Sequence, residues 1–140
     1  MSWDVFLVRT KTKVRTYGEV TDENVICFSR DEVIDEIRNL VRDYGFQVED
    51  IDQEFVYLRG DGWSIEFCFY EDYEPFDIIE MGVRGVKEPT VVFRRLEHDF
   101  NARIYDVHGG KFLDEDGTSG FDEWIRFTDK IIADINRKIH

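Results

Sequence analysis

Between Phe55 and Phe69 the chain reads FVYLRGDGWSIEFCF, two runs of β-branched and aromatic residues set around Arg59-Gly60-Asp61-Gly62. In the second run Trp63, Ile65, Phe67 and Phe69 alternate with Ser64, Glu66, Cys68 and Tyr70, the period-two pattern of a strand with one buried face. Asp-Gly between such runs predicts a two-residue hairpin of type I′, a turn whose central residues both take positive φ. The hairpin therefore lays four large apolar side chains on one side. A second layer must cover them.

Three amphipathic segments can supply that layer. From Ser29, a capping box with Glu32 opens a helix with Val33, Ile34, Ile37, Leu40, Val41 and Tyr44 on one stripe. Asp31, Glu32, Asp35, Glu36, Arg38, Arg42 and Asp43 fall on its polar side, and Gly45 stands where a left-handed cap is wanted. Glu88-Pro89 starts a second helix, with proline at the first helical position and Val92, Phe93, Leu96 and Phe100 as its apolar face. The third runs from about Phe121, with Ser119-x-x-Asp122 as its cap and Trp124, Thr128, Ile131, Ile132, Ile135 and Ile139 on one side.

Strands are predicted at Trp3–Val8, Phe76–Arg84, Ala102–Val107 and Lys111–Leu113, besides the hairpin; Arg9–Glu23 reads as a long loop and Val48–Glu54 as an acidic connection. The order is β-α-β-β-β-α-β-β-α, which divides into two β-α-β-β units and a closing helix. The economical assembly is an α+β two-layer sandwich, a mainly antiparallel sheet with helices on one face, in a single domain spanning residues 1–140.

Charge adds the next constraint. The net charge is −13 and unevenly spread. Residues 45–81 hold eleven carboxylates against one base, Arg59, or −10, whereas residues 1–20 carry Arg9, Lys11, Lys13 and Arg15 against two acids. Such a field repels nucleic acid and anionic membranes and favours cationic partners. It also serves solubility. No apolar run approaches the roughly 20 residues of a membrane span, and the start of the chain lacks a secretory leader, so a cytoplasmic protein is expected, with Cys27 and Cys68 as buried free thiols.

Catalytic signatures are absent. Ser29 and Ser119 are explained as caps, Ser64 has no nucleophile elbow, and the glycines are scattered turn residues rather than a phosphate loop. His98, Asp106 and His108 are the one constellation that invites a metal or general-base reading; a turn histidine hydrogen-bonded locally is the far commoner outcome of the same spacing. Asp114-Glu115-Asp116-Gly117 begins like a calcium loop but lacks its remaining ligands. No cofactor and no metal is expected. The binding chemistry is in Glu71, Asp72, Tyr73, Glu74, Phe76, Asp77 and Glu80, carboxylates with aromatic anchors, joined by Asp50, Asp52 and Glu54 as a second patch. The same stretch also reads as a charged turn whose aromatics pack inward.

The segments SWDVFLVR, GWSIEFCF and IYDVHGGKF resemble a group of small acidic bacterial proteins, many of which are similar to immunity partners of polymorphic or contact-dependent toxins. The resemblance implies a cytoplasmic antidote that binds and blocks a cognate toxin, often a basic nuclease. No residue role carries over from it, since that class is defined by its partner. The expected function is non-catalytic binding of a basic protein, with no nucleic acid or membrane partner. The alternative is a small-molecule domain with a pocket between sheet and helices, lined by Trp63, Trp124 or Tyr105.

Overall fold

The computed structural model describes residues 2–113 and 120–139, so the calcium-like Asp114–Gly117 run and the Ser119 cap lie outside the described residues. Among the described residues seven strands form one antiparallel sheet: β1 (Trp3–Val8), β2 (Gln47–Asp50), β3 (Phe55–Gly60), β4 (Trp63–Cys68), β5 (Ile78–Gly85), β6 (Arg103–Asp106) and β7 (Lys111–Phe112). They lie side by side in the order β2-β3-β4-β5-β1-β6-β7. Helices α1 (Arg30–Tyr44), α2 (Thr90–Phe100) and α3 (Phe121–Ile139) complete the α+β fold.

The alternation predicted for the hairpin sets the two faces. Trp3, Val5 and Leu7 of β1, Val56 and Leu58 of β3, Ile65 and Phe67 of β4, and Ile79, Met81 and Val83 of β5 are all buried. They share one core with Val33, Ile37 and Leu40 of α1, Val92, Phe93 and Leu96 of α2, and Phe121 at the start of α3. Trp3 lies 5.8 Å from Phe93 and 5.5 Å from Phe121, ring to ring, so two helices meet on one strand. All three helices thus cover the same face.

Local signals act as the sequence suggests at α1. Ser29 Oγ accepts the Glu32 N–H, Glu32 accepts the Ser29 N–H at 2.8 Å, and Gly45 closes the helix at φ 71°. Arg9 then ties the end of β1 to this helix, 3.0 Å from Glu32.

Four expectations are corrected. The acidic connection contains a strand, β2, because an edge strand exposed on both faces shows no alternation; all four of its residues are exposed. This extra strand breaks the match between the two β-α-β-β halves. The hairpin turn is not type I′: Gly62 takes φ 82°, but Asp61 does not take a positive value, and the Gly62 carbonyl is held by the Val86 and Lys87 N–H groups beyond β5. Glu36, read as solvent-facing, is buried between α1 and α2 beside Arg95. Cys27 and Cys68 are free but only partly buried. A smaller difference is that α2 starts at Thr90, one residue past Pro89.

Candidate functional site

The face away from the helices is built by register. Phe55, Cys68, Glu80, Phe6, Tyr105 and Phe112 stand in one row across six strands, each paired with the next. A second row runs Tyr57, Glu66, Gly82, Asp4. The β6–β7 side of this face is covered by the loop after β1: Val14 with Tyr17 and Val20 packs on Phe6, Val8, Tyr105 and Phe112, and Tyr17 stacks on Tyr105 at 4.7 Å. The β3–β5 side stays open.

Two hollows adjoin on the open side, sharing Cys68 and Glu80. One, of about 320 Å³, lies over Gly82 and is bordered by Asp4, Phe6, Glu66 and Arg84. The other, of about 650 Å³, is lined by Tyr70, Tyr73, Pro75, Phe76, Asp77 and Ile78. Between them, burial and the neighbouring Glu66 and Glu80 carboxylates push the Cys68 thiol up to about 12. Its Sγ lies 3.7 Å from Glu66 Oε1, whose partner oxygen takes the Tyr57 hydroxyl at 2.5 Å. A thiol so held stays protonated at neutral pH and is no nucleophile.

The two predicted acidic patches come together at one end of the sheet. The Phe69 N–H donates to Glu54 O at 2.6 Å, and Arg30 links both segments, its N–H on Glu74 at 3.0 Å and its Nε on Gln53 O at 3.1 Å. Glu71, Asp72 and Tyr73 form a single 3-10 turn there. Tyr73 is 69% exposed and stands edge-on to Tyr70, which in turn meets Phe55.

Not every predicted residue is free for a partner. Phe76 is buried in the core and paired with Phe28, so it is a floor rather than an anchor. Glu74 serves the first N–H of α1, and Asp52 accepts the Glu54 and Phe55 N–H groups in its own turn. Asp77 accepts the Cys27 thiol at 3.4 Å. Glu71, Asp72, Asp50, Glu54 and Glu80 are exposed, and among the described residues none of them is in an ion pair. Their charge is therefore turned outward.

The bases gather elsewhere. Lys11, Lys13, Arg94 and Arg103 border a different cleft of about 660 Å³ with His98, and Arg103 is fixed there by the Phe112 ring and the Val14 carbonyl.

The His98–Asp106–His108 constellation does not assemble. His98 turns to Asp99 at 3.0 Å, and His108 packs on Phe127 at 4.6 Å. Asp106, fully buried, accepts the Trp3 indole N–H at 2.9 Å and the Gly109 N–H at 3.0 Å. Among the described residues no three His, Cys, Asp or Glu side chains gather as metal ligands would. Nor do Trp63, Trp124 and Tyr105 line one pocket: Trp63 packs on Phe46, Trp124 on His108, and Tyr105 lies on the opposite face.

Sequence reasoning missed the groove lining of Tyr70, Ile78, Glu66 and Cys68. Its signal lay in the polar positions of β4 and β5, once the two strands are known to pair. No protein family, curated protein or solved structure matches the chain, so the site is read on its own geometry. No helix among the described residues is long and apolar enough to cross a membrane.

Proposed function

We propose that this chain is a non-catalytic binding domain for a cationic protein, docking through the acidic end of the sheet and the groove that leads from it. The observation that carries the reading is Tyr73, exposed among Glu71, Asp72 and Asp77 at the mouth of the 650 Å³ groove. Carboxylates without internal partners steer a basic surface toward this end, and an aromatic on an apolar floor slows its release. An antidote that caps a basic toxin domain in the cytoplasm is the form of this reading that the sequence resemblance implies.

The test uses a partner recovered by pull-down from the source cell. Reversing Glu71 and Asp72 to lysine lowers the association rate roughly 10- to 100-fold at low salt and much less at high salt. Tyr73→Ala instead raises the dissociation rate at any salt. An association rate that is flat across ionic strength sinks the proposal.

The groove volume supports a second reading, a small cationic ligand on the open face; the pocket expected between sheet and helices is not its place. Ile78→Trp, which fills the groove, abolishes small-ligand binding while leaving the salt-dependent association rate of a protein partner intact.

A further inference from the structure

The two hollows of the open face meet end to end along β5. That strand turns Ile78, Glu80, Gly82 and Arg84 toward them: Ile78 lines the larger hollow, Gly82 and Arg84 the smaller, and Glu80 both. From Ile78 to Gly82 the strand advances about 13 Å. The smaller hollow exists because residue 82 has no side chain. A Cβ there would make only ordinary contacts, 3.5 Å from Ser2 and 3.8 Å from Asp4, so the space is open to a larger group.

Charge is spaced along this track rather than heaped. Asp77 stands at one end, Glu80 in the middle, and Glu66 and Asp4 on the strands either side of Gly82. Among the described residues none of the four is in an ion pair. Between the carboxylates the lining is aromatic or apolar. Tyr70 and Tyr73, their rings at 89°, wall the larger hollow with Ile78, and Phe6 and the protonated Cys68 border the smaller. Arg84, the one base among the described lining residues, closes the far end.

A single cation engages one of these carboxylates and leaves the others facing water. A linear polyamine engages them in turn. Its ammonium groups are joined by extended runs of three or four methylenes, about 5–6 Å from nitrogen to nitrogen, against the roughly 7 Å of strand between Glu80 and Gly82. The methylenes lie on the apolar stretches, and ring faces attract the ammonium groups.

We propose that the two hollows form one site for a linear polyamine, which lies along β5 from the Tyr73–Asp77 mouth, past Glu80, to the space over Gly82 between Glu66 and Asp4. This rests on the small-cation reading of the groove and adds to it the length of the ligand and the spacing of its charges.

Calorimetric titration of the chain with spermine and with the shorter diamine putrescine, at low salt, is the test. Each exposed ammonium–carboxylate contact contributes up to about 5-fold in affinity, so the two extra ammonium groups make spermine roughly 25-fold the tighter ligand. Gly82→Val, which fills the smaller hollow and alters no charge, removes most of that advantage and leaves putrescine binding as it was. Glu66→Gln with Glu80→Gln weakens spermine roughly 10-fold more than Asp31→Asn with Asp35→Asn, an equal loss of charge at exposed sites of α1, behind the other face of the sheet. Equal affinity for the two amines, or a Gly82→Val protein that keeps the full preference, overturns the inference and leaves the groove a one-cation site. An equal loss in the α1 pair means diffuse attraction only and overturns it as well. A chain that binds neither amine yet still takes a cationic protein overturns the inference together with the small-cation reading, and leaves protein docking standing.

Discussion

The two faces of the sheet are made from the same strands and differ in almost everything else. On the helix side Ile65 and Phe67 of β4 and Ile79, Met81 and Val83 of β5 are apolar and enclosed, and the buried Asp106 carboxylate is held through one oxygen by Trp3 and Gly109. On the open side the alternate positions of those strands are Ser64, Glu66, Cys68, Glu80 and Arg84, and part of the surface is hollow. The larger core lies on one face, and the other carries the groove through which we propose docking.

Substitutions measure how complete that division is. Phe67→Ala, at the centre of the helix side, should lower stability by about 3–5 kcal/mol in denaturant unfolding. A loss below 1 kcal/mol would mean that the layers are not closely packed. Asp106→Ala leaves the buried Trp3 indole N–H without its acceptor, frees the Gly109 N–H, and should cost about 2–3 kcal/mol.

Glu36 tests the division with the opposite sign. Burial, reinforced by the hydrogen bond to Asp99 and its charge, raises the Glu36 carboxyl from 4.5 to about 7, against the pull of Arg95; Asp43 adds to the rise. The folded protein therefore holds a proton there that the unfolded chain has lost. Stability falls as pH rises between 4.5 and 7 and stays lower above that window. Glu36→Gln should flatten this part of a melting-temperature profile and be the more stable protein at pH 8, by roughly 1–2 kcal/mol. Asp99, held down to about 2 by Glu36 and His98, adds stability that is lost only in strong acid.

The smallest effect belongs to the open face. Glu80→Gln and Asp72→Lys should each leave stability within about 0.5 kcal/mol while changing partner association. If either unfolds the protein, that face is structural after all.

What the chain reveals of itself follows the same division. The helix-side pattern was readable because burial enforces it: the capping box at Ser29, the stripe of α1 and the alternation of β4 all reappear in the structure. Polar positions left less trace. The edge strand β2 hid in an acidic run, since neither of its faces is buried. Glu36 read as one more surface carboxylate because Arg95, the group that admits it to the α1–α2 contact, is 59 positions away. The acidic end was visible in composition, but its joining by Arg30 depends on hydrogen bonds that no periodicity encodes. The row across the open face required the strand order.

Trp3 gives the molecule a gauge of its own. Its indole is wholly enclosed, bonded to Asp106 and leaning on Phe121, while Trp63 and Trp124 are only partly covered. Any loosening of the last helix would admit water to that ring first, so the bluest component of the emission spectrum reports in real time whether the C-terminal element is seated.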